Sequence, residues 1–378
     1  MQLFFTIHPN TSIMRVTRGL ILLFSILLTS ANLQAQKNKK AVVAVATPAK
    51  VWTPERANAW YSEHRWLTGA NYIPATAINQ LEMWQAETFD PATIDKELGW
   101  AASLGFNTLR VFLHSVAWKE DPDGFKKRMD QFLSIADKHH IQPLFVFFDD
   151  CWNKEPKQGL QPVPKPGIHN SGWMQDPGQP ASADTANFTG LEKYVKDVLG
   201  NFAHDKRILL WDLYNEPGNN GKGDSSVALL KKAFEWARAV NPDQPLTAGL
   251  WDWTLTNLNA LQVSNSDIIT YHDYNELPMH LRVVSILKSF GRPLICTEYM
   301  ARTRNSRFAT ILPMLKKENV GAINWGFVDG KTNTIYAWDT PLADGSQPLE
   351  WFHDIFKKDG TAYREDEVNL IRHLNGVK

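Results

Sequence analysis

Eight short apolar runs recur along this chain with amphipathic blocks between them, at 66–71, 108–113, 142–148, 208–214, 246–250, 267–274, 294–297 and 321–327. Each reads as a buried strand. The blocks carry apolar residues at helical spacing: Ile94, Leu98, Ala101 and Ala102 within 91–104, and Phe125, Met129, Phe132, Leu133 and Ala136 within 125–139. Blocks 191–202, 227–240, 277–290, 308–317 and 349–358 continue the series, with 258–263 as its weakest helix. Strands that alternate with helices pair in parallel, and eight such units predict an α/β fold, a (β/α)8 TIM barrel. An open doubly wound sheet uses the same alternation, because strand count alone does not close a barrel. No long Pro/Gly/Ser linker interrupts 53–378, so those residues are expected to form a single domain. The 149–188 stretch is too long for a plain connection and is expected to wall a cleft.

Ahead of that series, Arg15 and Arg18 precede an apolar run at 20–28, and small and polar residues follow as far as Ala35 and Gln36. This is the layout of a secretory signal peptide over 1–35, with Met14 as the start. The apolar run of about nine residues falls well short of the ~20 that cross a bilayer, so export is expected in place of a membrane anchor. Export leaves a periplasmic or secreted protein with no membrane contact. Residues 36–52, rich in Lys, Ala and Pro, are expected to form a disordered linker. Lys+Arg and Asp+Glu balance at 40 each, so no net field recruits nucleic acid or an anionic membrane. Cys151 and Cys296 stand in distant segments and make no disulfide framework; both are read as free and buried.

In such a barrel the chemistry lies at the C-terminal strand ends. Arg110 falls late in the second strand, with His114 just beyond it. Asp149, Asp150 and Trp152 follow the third, Asn215 and Glu216 the fourth, and Trp251, Asp252 and Trp253 the fifth. His272 and Tyr274 end the sixth, Glu298 and Tyr299 the seventh, and Trp325 lies near the end of the eighth. Two glutamates on separate strand ends are the minimum equipment for acid/base cleavage of a glycosidic bond. Pro217 is expected to hold Glu216 extended. Asp149 and Asp150 are adjacent, so at most one faces the site. Arg110 reads either as a partner of the site or as an ion pair to Asp149 or Asp150. The 15 tryptophans are an excess that suits stacking on sugar faces, and Trp84, Trp152, Trp173, Trp251 and Trp253 each fit stacking or packing. His272 has no second His at ligand spacing and there is no His-Glu-x-x-His, so no metal is expected. No Walker loop, Gly-x-Gly-x-x-Gly turn or Gly-x-Ser-x-Gly elbow occurs, so no cofactor is expected either.

The ordered set resembles the retaining glycoside hydrolases of the large (β/α)8 clan that contains the family 5 cellulases and mannanases. The matching residues are Arg110 in Thr-Leu-Arg-Val-Phe, Asn215-Glu216-Pro217, His272 and Tyr274 in Tyr-His-Asp-Tyr, Glu298 in Cys-Thr-Glu-Tyr, and Trp325 in Asn-Trp-Gly-Phe, across about 66–327. The resemblance implies Glu216 as general acid/base and Glu298 as nucleophile. It implies that Asn215 binds the sugar 2-hydroxyl, that Arg110 and Tyr274 hydrogen-bond the nucleophile, that His272 lines the site and that Trp325 floors the −1 subsite. His114, Asp150, Trp152 and Trp251 are expected to bind substrate or support the site. The expected partner is an oligosaccharide or polysaccharide, with endo-action on β-1,4-mannan, xylan or glucan by a monomer. The alternatives are an exo-acting β-mannosidase, β-galactosidase or arabinofuranosidase of the same clan, and a secreted barrel that binds carbohydrate without cleaving it.

Overall fold

The computed structural model describes residues 50–377, apart from 180 and 183. The expected export signal and residues 36–49 of the expected linker lie outside the described residues. Eight parallel strands run in chain order: β1 (Thr68–Tyr72), β2 (Thr108–Phe112), β3 (Leu144–Asp149), β4 (Trp211–Asn215), β5 (Leu246–Thr247), β6 (Ile269–His272), β7 (Leu294–Glu298) and β8 (Gly321–Asn324). Their order is β5-β4-β3-β2-β1-β8-β7-β6. Between the two ends of that order, Leu250, just past β5, bridges Tyr271 of β6. The Leu250 N–H donates to the Thr270 carbonyl (3.0 Å) and the His272 N–H to the Leu250 carbonyl (2.8 Å). This seam closes the sheet, so the fold is the (β/α)8 barrel and the open-sheet alternative falls.

The helices are α1 (Pro54–Ser62), α2 (Gln80–Trp84), α3 (Pro91–Ser103), α4 (Ser115–Glu120), α5 (Pro122–Lys138), α6 (Phe188–Asn201), α7 (Val227–Val240), α8 (Thr256–Asn265), α9 (Leu277–Lys288), α10 (Phe308–Lys317) and α11 (Glu365–Asn375). Among the described residues, no helix is long and apolar enough to cross a membrane. Local chemistry sets their ends. Asp121 caps α5 by accepting from the Gly124 N–H (3.0 Å), with Pro122 pre-set at the first position. The expected stripe of Phe125, Met129, Phe132, Leu133 and Ala136 is the face that α5 buries. The weak eighth block is helical as α8, yet it buries only Leu258 and Gln262.

Two expectations change. Residue 52, placed at the end of the linker, belongs to the barrel: Trp52 is buried and its N–H donates to Asp267 Oδ1 (2.7 Å). It plugs the bottom with Tyr61 of α1, over a cluster that includes Leu144, Leu210, Ile268, Ile295 and Ile323. Block 349–358 is not a helix. Its apolar residues Trp351, Phe352, Ile355 and Phe356 are buried in irregular chain, where Phe356 bridges Val328 and Ala362. The last helix is α11, which starts on Glu365, Asp366 and Glu367, ends on Arg372 and His373, and stops at Gly376 with φ +75°. That charge order complements the helix dipole, and the left-handed terminal position suits glycine.

Candidate active site

Arg110, in the middle of β2, is wholly buried and organises the barrel mouth. Its Nη1 donates to Glu298 Oε1 (2.8 Å) and Asn71 Oδ1 (3.0 Å). Its Nη2 donates to Asn215 Oδ1 (2.7 Å) and Asp212 Oδ2 (2.8 Å), and Nε donates to Asp212 as well (3.0 Å). Its ion-pair partners are therefore Glu298 and, beneath the rim, Asp212 of β4, and neither Asp149 nor Asp150. A buried guanidinium needs this many acceptors, because an unpaired charge in the interior is strongly unfavourable. Glu298, the last residue of β7, is held from its other side by the Tyr274 hydroxyl, which donates to Oε2 (2.8 Å).

Glu216 follows directly on β4, and its backbone overturns one expectation. Its φ is +44°, left-handed rather than extended, a conformation uncommon for a residue with a Cβ. The turn closes with the Asn219 N–H donating to the Glu216 carbonyl (3.0 Å). Asp150 anchors it: this buried carboxylate accepts from the Gly218 N–H (2.8 Å), Lys222 Nζ (2.6 Å), Ser226 Oγ (2.6 Å) and the Tyr214 hydroxyl (2.8 Å). These bonds outweigh the extended preference that Pro217 imposes on its neighbour. Trp152 (φ +68°) and Met300 (φ +76°), just past β3 and β7, are left-handed too.

The Glu216 side chain meets His272 Nδ1 at Oε1 (2.9 Å), and at Oε2 it meets Asn219 Nδ2 (2.5 Å) and the Cys151 thiol (3.2 Å). His272 Nδ1 also lies 3.5 Å from Glu298 Oε2. One oxygen of Glu216, one of Glu298 and a ring nitrogen of His272 all lie within 4.8 Å of one another. Three such atoms match a cation site in spacing, but Arg110 and Tyr274 already occupy the Glu298 oxygens. Burial pushes both carboxyls above the ordinary carboxyl range, and the nearness of Glu216 adds to the rise at Glu298. A pair this close titrates as a unit. Arg110 donates directly to Glu298 and not to Glu216, which favours the charged form at Glu298. Burial drives His272 down to about 4, so at neutral pH the imidazole between them is uncharged.

These groups open into a cavity of about 380 Å3. Trp325 and Trp173 form its floor, edge-on to each other (5.6 Å between centroids) and to Phe112. Trp152, Trp251 and Trp338 line it as well, each half-buried. Asn215 lines it too, oriented by Asp149, whose Oδ1 accepts from Asn215 Nδ2 (2.9 Å) and whose Oδ2 accepts from Trp173 Nε1 (2.7 Å). Burial lifts Asp149 to about 6.

Of the residues expected at the site, Arg110, Asn215, Glu216, His272, Tyr274, Glu298, Trp152, Trp251 and Trp325 gather there. Arg110 and His272 act from behind the cavity lining, and two others, His114 and Asp150, neither line the cavity nor bond the glutamate side chains. His114 is buried beneath the rim, where Nδ1 accepts from the Val116 N–H (3.1 Å) to cap α4 and Nε2 meets the Gln175 carbonyl (3.1 Å). Asp150 turns inward to hold the Glu216 turn, as above. Trp84 is core, donating to the Phe112 carbonyl (2.7 Å), and Trp253 lies exposed. Cys151 and Cys296 are free and buried as expected, and Cys151 also borders the cavity. Sequence reasoning missed Asp212, Asn71, Asn219, His169 and Trp338. An acid in the middle of an apolar strand was a usable sign for Asp212.

The profile of the cellulase family, glycosyl hydrolase family 5, matches residues 74–330. The chain belongs to that family. Among curated proteins, none matches. Similar solved structures include the exo-β-1,4-mannosidase Op5Man5 from Opitutaceae bacterium strain TAV5, at 18% identity and TM-score 0.57, covering 82% of this chain and 60% of that one. The endo-β-1,4-mannanase from Thermotoga petrophila aligns at 15% identity and TM-score 0.53, over 83% of this chain and 77% of its own. GH5_18 from Streptomyces cattleya, in complex with GlcNAc, aligns at 14% identity and TM-score 0.59, over 82% and 80%. At these identities the likeness is one of fold.

Proposed function

We propose that this protein hydrolyses β-glycosidic bonds with retention of anomeric configuration, Glu298 acting as nucleophile and Glu216 as general acid/base. The observation that carries the reading is the unequal setting of two neighbouring carboxyls. Glu298 takes donors from Arg110 and Tyr274 on separate oxygens, while half-buried Glu216 has only Asn219, Cys151 and His272 at hand. Oxygens within 4.8 Å suit the ~5–5.5 Å separation of a retaining pair, and are too close for the ~6.5–9.5 Å that seats a water in an inverting one.

In the first step Glu298 attacks the anomeric carbon as Glu216 protonates the departing oxygen, giving a glycosyl ester on Glu298. Esterification removes the Glu298 charge, so the repulsion that favoured a proton on Glu216 disappears. Glu216, now a carboxylate, takes a proton from water, and the hydroxide oxygen displaces Glu298. Uncharged His272 stays hydrogen-bonded to Glu216 in either protonation state. Trp325 presents an apolar face beneath the reacting ring, and Asn215, fixed by Arg110 and Asp149, offers an amide to a ring hydroxyl.

The substrate class we favour is β-1,4-linked mannose, on the strength of the mannosidase and mannanase folds that resemble this one, with xylan and glucan next. Export through residues 1–35 to the periplasm or medium fits a polymeric substrate, and N-terminal sequencing of the mature protein tests it. Proton NMR of the first product from 4-nitrophenyl β-mannoside or β-glucoside tests the mechanism. The β-anomer formed first is the expected result; the α-anomer formed first contradicts it.

A further inference from the structure

Two long connections meet over one end of the cavity. One follows β3, the other follows β8, and in the sheet β2 and β1 lie between their strands. Backbone bonds join them: the Asn170 N–H donates to the Thr332 carbonyl (2.8 Å) and the Leu342 N–H to the Gly167 carbonyl (3.0 Å). Side chains add to the seam, with Asn333 Nδ2 donating to the Lys165 carbonyl (2.9 Å) and His169 Nδ1 against the Tyr336 carbonyl (2.9 Å). Gly167 has φ +72° and lies so near Leu342 that a Cβ would collide with its carbonyl oxygen. Only glycine allows that approach. The strap therefore crosses above β1 and β2 and is fastened at both ends.

On its cavity side the strap carries rings in succession. Trp152 lies 5.6 Å from His169, His169 lies 6.0 Å from Trp338, and Trp338 stands edge-on to Tyr274 at 4.8 Å, all between ring centroids. Tyr274 is the residue that holds Glu298. The collar thus runs unbroken from the β3 connection to the end of β6. His169, Asn170 and Trp173 on this side are at most 3% exposed. The opposite side, past Glu216, is the more open one through exposed Asn220, whereas the collar rings Trp152, Trp338 and Tyr274 are half-buried, as are Asn219 and Trp251. The leaving group must lie where Glu216 can protonate it, on the open side. The ring that carries the anomeric carbon lies over Glu298 and Trp325, against the collar.

We infer that the strap makes this cavity a blind pocket, so that the enzyme removes single sugars from the non-reducing end of a β-linked chain. This rests on the glycosidase reading above and replaces the endo-action expected from sequence. The volume agrees, since about 380 Å3 is at the low end of the ~300–1,000 Å3 of ordinary ligand pockets. The test uses mannohexaose and cellohexaose tagged at the reducing end, with the earliest products resolved by chromatography. The expected first tagged product is the pentasaccharide, with free monosaccharide in equal amount. A tagged di-, tri- or tetrasaccharide as first product overturns the pocket and leaves the chemistry intact. A protein inert on both hexaoses and on the two aryl glycosides defeats the glycosidase reading instead. Trp338→Ala removes the link between His169 and Tyr274, so it is expected to add tagged tetrasaccharide to the early products. A variant that melts like the parent and still yields only pentasaccharide takes Trp338 out of the wall.

Discussion

At the bottom of the barrel, Leu144, Leu210, Ile268, Ile295 and Ile323 pack beneath Trp52 and Tyr61, apolar against apolar and closed to water. At the mouth, one strand length away, the interior holds Arg110, Asp149, Asp212, Glu298 and His272, and around it stand the left-handed, non-glycine residues Trp152, Asn170, Glu216, Asn220 and Met300. The apolar cluster at the bottom gains free energy from the surface it buries, at about 25 cal/mol per Å2. The mouth buries charges side by side and bends its chain against preference, arrangements that persist only because the remaining structure enforces them. Stability is concentrated at one end of the strands and reactivity at the other.

The sharpest break of that division is at Glu298. Glu298→Gln is expected to lower kcat by about 10⁴-fold or more, as loss of a nucleophile does. Its melting temperature is expected to stay near the parent's, since the Gln oxygen still accepts from Arg110 and Asp212 still neutralises the guanidinium. Glu216→Gln is expected to lower kcat by ~10²–10⁴, and by less on aryl glycosides whose leaving group needs no proton. Steady-state rates and thermal melts on the same preparations check both.

Arg110→Ala is expected to fail on both counts, because it leaves Asp212 and Glu298 buried without a counter-charge: about 3–5 kcal/mol of stability, along with activity. Leu210→Ala, at the bottom, is expected to lose about 2–5 kcal/mol by denaturant titration while kcat in the folded fraction is unchanged. Equal activity losses in the two variants would erase the contrast between the ends.

Smaller effects come from pH. Burial holds Asp176, in the β3 connection, up to about 8, and Glu97 and Asp354 to about 7. Each binds its proton more tightly folded than unfolded. Their stabilisation is therefore complete below about pH 4 and is lost as pH rises to about 8. Unfolding free energy measured across that window should fall, and Asp176→Asn, which keeps a neutral side chain of the same shape, should flatten the decline. Smallest is Cys151→Ala. The thiol bond lowers the Glu216 pKa, so its removal should move the alkaline limb of the kcat profile upward.

How much of this was legible depended on whether a residue's role follows from local pattern. The eight strands were readable because both faces are buried, and Glu216 and Glu298 because each ends an apolar run. Arg110, Tyr274 and Trp325 were found by the same strand-end rule. His114 and Asp150 obey that rule and still miss the cavity, since position past a strand does not fix side-chain direction. Trp338 and His169 were invisible because they matter through a seam between connections more than 150 residues apart in sequence. Block 349–358 has apolar spacing that irregular chain uses as well as a helix, whereas the acidic start and terminal glycine of α11 were true helix signals left unread. The left-handed turn at Glu216 was hidden because the bonds that impose it come from Asp150, just past another strand.

The division of labour between the two glutamates is tested most directly by trapping the intermediate. A 2-deoxy-2-fluoro β-glycoside with a good leaving group slows turnover of the glycosyl-enzyme, and peptide mass spectrometry then locates the sugar. One sugar per chain is expected, esterified to Glu298, with Glu216 unlabelled. Label on Glu216, or inactivation with the sugar on any other residue, would contradict it.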